Sequence, residues 1–323
     1  ATTTPSITNT PAPSSPPEYL TEKEIIFNVS ISPDGDYLVA TSSFGVWIYS
    51  LAEKKLIQSK EGFPAIIIPY SEVADIFWSP DGECVAVSQN NNGVWIWDTQ
   101  SWDLLTEFEG KIHTWYGRGA PGFAWSPDGQ QLALGLGDGR VTVWDKATNA
   151  WKEKENKLSG LGWQLSVSYT AEGELQTFMD EGLYNVDTGE WVKNHYVYID
   201  GVGRIVWAPS KTHFYFLFDL GGGLVNAETN DHIFGCCNEF AWSNDGQFLA
   251  TYYPSDNHVY IADTTIDDII NDIELEPPVY ALTWSPDNQL YYVGYHQGDL
   301  VLQSAETGEV LINLNAHDRS KTE

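Results

Sequence analysis

The sequence predicts an all-β fold, a seven-bladed β-propeller of four-stranded antiparallel blades. Three observations carry this. One turn signal recurs seven times, short strand-forming runs fill the intervals, and no long 3.6-period apolar stripe breaks the pattern. The signal reads Ser32-Pro33-Asp34-Gly35, Trp78-Ser79-Pro80-Asp81-Gly82 and Trp125-Ser126-Pro127-Asp128-Gly129. Degraded copies follow at Tyr169-Thr170-Ala171-Glu172-Gly173, Trp207-Ala208-Pro209-Ser210, Trp242-Ser243-Asn244-Asp245-Gly246 and Trp284-Ser285-Pro286-Asp287-Asn288. The steps are 47, 47, 44, 38, 35 and 42 residues.

Each copy is a turn for chemical reasons. Pro presets φ at the second position, Ser caps, Asp tolerates the bridge region and Gly accepts a left-handed conformation. The first strand of a blade should therefore end at the turn and the second begin after it. Asp75-Ile76-Phe77-Trp78 and Cys84-Val85-Ala86-Val87 form one such pair, and Gly122-Phe123-Ala124-Trp125 with Leu132-Ala133-Leu134 another. A second mark, at Gly45, Gly93, Gly139, Gly182, Gly223, Asn257 and Gly298, opens the third strand. Examples are Val46-Trp47-Ile48-Tyr49, Val94-Trp95-Ile96-Trp97 and Val141-Thr142-Val143-Trp144. Polar turns such as Asp187-Thr188-Gly189 and Glu306-Thr307-Gly308 close it, and a fourth strand follows, as in Val310-Leu311-Ile312-Asn313-Leu314.

These residues resemble the WD-repeat propellers and their TolB-like bacterial relatives. Trp97-Asp98 and Trp144-Asp145 match the dipeptide that names the family, and Ala316-His317 stands where Gly-His is frequent. The resemblance implies the fold over about residues 24 to 317 but no one activity. Most blades lack the His and the turn Asp of the family's buried network; Asp138 is the best match for that Asp. The blades must then rely on apolar packing and Trp burial. The last repeat owns four strands, so the ring closes either by packing alone or with an added edge strand near Tyr19 to Lys23.

The formal net charge is −29, from 45 acidic and 16 basic side chains. It argues against nucleic acid and anionic membranes and favours cationic partners. Residues 1–20 read as a Thr/Pro/Ser-rich stalk and 21–323 as the propeller. The tract ATTTPSITNTPAPSSPP cannot bury a core. It resembles the tether of bacterial surface lipoproteins, which implies an extracytoplasmic location with a lipid anchor upstream of Ala1. An ordinary tail is the alternative. No transmembrane segment is present. Cys84 reads as a small buried hydrophobe, and Cys236-Cys237 as free thiols or a strained vicinal disulfide.

Standard catalytic strings are missing, and no cofactor is implied. Gly135-Leu136-Gly137-Asp138-Gly139 falls on a hairpin, where no helix N-terminus would hold phosphate. Asp267, Asp268 and Asp272 match no calcium loop and read as solvated carboxylates. No metal site is expected. His195, His213 and His232 read as structural. Ile66, Ile67 and Ile68 read as folded under the propeller, with an exposed docking patch as the alternative.

The ligand or partner site is expected on loops entering neighbouring blades around the channel mouth. They carry Trp115, Tyr116 and Arg118, then Trp163, then Tyr198 and Arg204. Aromatic faces beside guanidinium donors suit a sugar or a carboxylated ligand. The competing reading is that the aromatics plug the channel while Arg neutralises internal charge. The leading function is a non-enzymatic binding scaffold for a protein, peptide or glycan. The alternatives are a channel-mouth hydrolase or lyase, and a structural subunit of a surface assembly, self-associating through the stalk.

Overall fold

The computed structural model describes residues 26–42, 45–61, 75–89, 93–108, 122–136, 140–154, 166–179, 182–193, 204–210, 212–218, 221–229, 231–235, 239–275, 279–296 and 299–314. Blade 1 holds β1 (Ile26–Ile31), β2 (Tyr37–Ser42), β3 (Gly45–Ser50) and β4 (Lys55–Glu61). Blade 2 holds β5 (Ile76–Trp78), β6 (Cys84–Gln89), β7 (Gly93–Asp98) and β8 (Leu104–Phe108). Blade 3 holds β9 (Phe123–Trp125), β10 (Gln131–Gly135), β11 (Val141–Asp145) and β12 (Ala150–Glu153). Blade 4 holds β13 (Ser166–Tyr169), β14 (Leu175–Met179), β15 (Gly182–Asn185) and β16 (Trp191–Lys193). Blade 5 holds β17 (Arg204–Trp207), β18 (His213–Phe218), β19 (Gly221–Asn226) and β20 (His232–Gly235). Blade 6 holds β21 (Glu239–Trp242), β22 (Phe248–Tyr253), β23 (His258–Asp263) and β24 (Asp268–Glu274). Blade 7 holds β25 (Ala281–Trp284), β26 (Leu290–His296), β27 (Asp299–Ser304) and β28 (Val310–Asn313).

Every sheet runs in chain order from its inner to its outer strand, all antiparallel. The described residues contain no helix. The fold class and the blade count are those the turn spacing predicts. One boundary differs. Gly223 does not open the third strand of blade 5: β19 begins at Gly221, and Gly223 pairs with Phe216 and Gly235 inside the sheet. A run of three glycines gives no internal cue to which one leads.

The repeated tetrapeptide folds as its chemistry demands. Gly82 N–H donates to the Ser79 carbonyl at 2.8 Å, and Gly246 N–H to the Ser243 carbonyl at 2.9 Å. Ser79 Oγ donates to Asp81 Oδ1 and accepts from Cys84 N at 2.9 Å, while Asp81 Oδ1 accepts from Glu83 N at 3.0 Å. Gly246 has φ +73°, and in blade 7 Asn288 takes the same left-handed place at +59°.

The core lies between blades. The middle strands are buried, as at Leu38, Val39, Leu132, Leu134 and Leu249. Trp125 Nε1 donates to the Phe77 carbonyl of blade 2 at 3.1 Å, and Trp284 Nε1 to the Ala241 carbonyl of blade 6 at 2.9 Å. In blades 3 and 7 the Trp before the turn thus fastens its blade to the preceding one, whereas the Trp78 and Trp242 indole nitrogens are buried without a hydrogen-bond partner among the described residues. The third-to-fourth-strand turns also reach backward. Trp102, held at φ +59°, meets Tyr37 of blade 1 edge-on with centroids 5.2 Å apart. Asn149, at φ +48°, donates through Nδ2 to the Leu105 carbonyl of blade 2 at 2.9 Å.

Ring closure uses packing between two complete blades. Blades 1 and 7 share a cluster that includes Ile31, Leu38, Trp47, Tyr49, Val293, Leu300, Leu302, Ile312 and Leu314. Ile31 N–H donates to Thr283 Oγ1 at 3.3 Å across this seam. The alternative edge strand near Tyr19 to Lys23 lies outside the described residues.

Candidate functional site

Trp115, Tyr116, Arg118, Trp163 and Tyr198 lie outside the described residues, as do Asp138, His195, Ile66 to Ile68 and the Cys236-Cys237 pair. Arg204 is placed: it opens β17, the innermost strand of blade 5, opposite Leu217. The connection carrying Arg118 leads to Gly122, and the one carrying Tyr198 leads to Arg204.

Those two points belong to one level of the ring. Counting back three residues from the last residue of each inner strand gives Asn28, Asp75, Gly122, Ser166, Arg204, Glu239 and Ala281. This level lies at the end of the inner strands opposite the repeated turns, where the inter-blade connections enter. It holds two carboxylates and one cation.

Asp75 is buried and accepts from Asn28 Nδ2 of blade 1 at 3.3 Å. Glu239, at the head of β21, is crowded by protein, and the negative charge of Asp75 adds to that desolvation. Together they push its carboxyl up to about 7. Asp75 belongs to blade 2 and Glu239 to blade 6, so the two carboxyls interact across the ring. A carboxyl titrating there exchanges its proton near neutral pH.

Reading the repeats column by column would have found Asn28, Asp75 and Glu239. Each stands at a fixed offset from its turn. A search for catalytic strings passes over them, because the three come from separate repeats.

The histidine read as structural is so. His213 is buried, with Nε2 2.7 Å from Asp267 Oδ1 of blade 6 and Nδ1 2.9 Å from Thr212 Oγ1. Asn226 Nδ2 donates to Asp267 Oδ2 at 3.0 Å. Asp267, read as a solvated carboxylate, is exposed and in addition forms a polar lock between blades 5 and 6. Asp268 and Asp272 are exposed, as expected. Among the described residues no group of three His, Cys, Asp or Glu side chains is arranged to hold a metal ion. Cys84 is a buried thiol, pushed up to about 11 by that burial.

The class these features define is a seven-bladed propeller containing a WD repeat: the family described as WD domain, G-beta repeat matches residues 111–145. Among curated proteins, the chain is 31% identical to the COMPASS component SWD3 of Saccharomyces cerevisiae over 91 residues, 28% of this chain. That stretch spans a quarter of the relative's length (25%). Among solved structures, the β-propeller domain of Cps50 (Swd1) from Myceliophteria thermophila superposes with a TM-score of 0.65 at 15% identity. It covers 88% of this chain and 97% of that one, a likeness of fold.

These relatives overturn one expectation. The extracytoplasmic location and the bacterial surface-lipoprotein type, read from residues 1–17, do not stand. The similarity runs to a yeast complex component and a fungal propeller, and it points away from the cell surface. A Thr/Pro/Ser-rich composition reports an inability to bury a core, and it carries no address.

Proposed function

We propose that the chain is a non-enzymatic scaffold whose ring presents its inter-blade loops to a protein or peptide partner. Trp115, Tyr116, Arg118, Trp163, Tyr198 and Arg204 are the proposed anchors. The observation that carries this reading is the WD-repeat match at 111–145. It takes in the connection bearing Trp115, Tyr116 and Arg118 as well as the body of blade 3. The yeast relative, itself a component of an assembly, supports a protein partner. Aromatic and Arg side chains concentrate interface energy because they desolvate large area at low entropic cost. The acidity of the chain favours a basic partner surface.

Capture experiments with the wild-type chain and with Trp115→Ala/Arg118→Ala test this. Loss of the captured partner in a variant with an unchanged melting temperature supports the reading. Equal capture by both removes the proposed anchors. A second reading, a hydrolase or lyase at the channel mouth, draws on the Glu239 carboxyl, which burial and the charge of Asp75 push up to about 7. Turnover of a sugar or ester panel that Glu239→Gln abolishes would favour it.

A further inference from the structure

The outermost strand of blade 6 differs from its counterparts. β24 is seven residues long, like β4, and like every outer strand it forms the free edge of its sheet, but it exposes a run of large apolar side chains. Ile266 is 62% exposed, Ile269 41% and Ile270 49%. These are half of the six exposed large apolar side chains among the described residues, gathered within five positions. Asp268, Asp272 and Glu274 are exposed on the same strand. Asp272 lies 3.7 Å from His258 Nδ1 on the adjacent strand.

Outer strands are usually protected against further pairing, commonly by lysine. Here β4 carries Lys55 and Lys60, β12 carries Lys152, and β16 carries Lys193. β8, β20, β24 and β28 carry no lysine or arginine, and among the described side chains of these four strands only β24 exposes two large apolar ones. Its start is held in place, because Asp267 is tied to His213 and Asn226 of blade 5.

We infer that β24 is a docking edge for an extended basic segment in which Lys or Arg alternates with apolar residues. The backbone of that segment adds a fifth strand to blade 6. Its cations face Asp272 and Glu274, which share a face of β24 with Ile269, and the methylene stems of those cations cover that side chain. Charge selects this occupant over a second copy of the chain. A copy would bring the same carboxylates against one another, and like charges across strands repel.

The probe is a fluorescein-labelled nonapeptide alternating Lys and Val, followed by anisotropy, with a Glu/Val peptide as control. Ile269→Ser/Ile270→Ser, which leaves the charge unchanged, is expected to weaken binding about 10-fold or more. Asp268→Asn/Asp272→Asn is expected to weaken it about 5-fold and to flatten its decline between about 0.15 and 0.5 M salt. Glu306→Gln/Glu309→Gln, on blade 7, removes the same charge and is expected to change binding less than about 2-fold. The replaced side chains are exposed, so the variants should keep the wild-type melting temperature.

Equal losses for the blade 6 and blade 7 charge variants would reduce the effect to general attraction and overturn the proposal. So would binding that ignores the isoleucine pair, or equal binding of the Glu/Val peptide. Light scattering covers the remaining occupant. A wild-type dimer that Ile270→Ser converts to monomer would assign the edge to a second copy and refute the basic segment. Arg118→Ala is expected to leave peptide binding unchanged, which separates this edge from the channel-mouth site.

Discussion

The seam between blades 7 and 1 and the seam between blades 5 and 6 solve the same problem with different forces. The first gathers thirteen buried apolar residues from two complete blades. The cluster at the second has four, Tyr215, Leu224, Leu249 and Ala262, and adds the polar lock of His213, Asp267 and Asn226. Chain connection separates the cases. Only residues 236–238 join blade 5 to blade 6, so those blades are held together before they pack. The closing seam joins residues as far apart as Ile31 and Thr283, 252 positions along the chain. Closing so long a loop costs about 4 kcal/mol more than closing a three-residue one. Apolar burial, at about 1.5–3 kcal/mol per large side chain, offsets this without needing exact partners. A lock of directional hydrogen bonds suits blades whose register the short connection already sets.

Substitutions at the two seams should separate these terms. The largest effect is expected from Leu302→Ala at the closing seam. It should cost about 4 kcal/mol in denaturant unfolding, against about 3 kcal/mol for Leu224→Ala, because the larger cluster collapses less easily around the void. A near-equal cost would mean that closure does not depend on the larger cluster.

The turn glycines invert the order. A Cβ at Gly246 would sit 2.5 Å from the Ser210 backbone nitrogen of blade 5, in addition to the strain of φ +73°. At Gly35, which faces blade 7, the nearest atom is Pro286 Cγ at 3.4 Å. Gly246→Ala should cost about 3 kcal/mol and Gly35→Ala about 1 kcal/mol, the latter from the left-handed backbone alone. Calorimetric melting of the two variants side by side gives the comparison.

The last comparison, at the inner end of blade 6, depends on pH. Crowding and Asp75 raise the Glu239 carboxyl from its ordinary value of 4.5 to about 7. The folded state therefore holds a proton that the unfolded chain has lost. Stability is full below about pH 4.5 and falls as pH rises toward 7. Glu239→Gln should match wild type near pH 4 and exceed it by about 3 kcal/mol at pH 8. A wild-type advantage at pH 8 would show that the ionised carboxylate has a stabilising partner.

Much of this was legible because each signal is local. Ser79, Pro80, Asp81 and Gly82 make their turn among themselves, so seven such turns announce seven blades. Cys84 stood in an apolar run and is buried. The bridging role of Asp267 was not legible because its partners, His213 and Asn226, are 54 and 41 positions away. Glu239 and Asp75 were passed over for the same reason. The location was misread because stalk composition has no structural consequence that names a compartment.

The sequence by itself determined the blade count, the strand order within each blade and the turn geometry. Hydrogen-bonding side chains a few residues apart dictate those features wherever the chain goes. Only the tertiary structure decided how the ring closes, which carboxyls interact across the ring and which outer edge exposes isoleucines. Those depend on side chains brought together from distant repeats, and their energies follow from burial and distance in space.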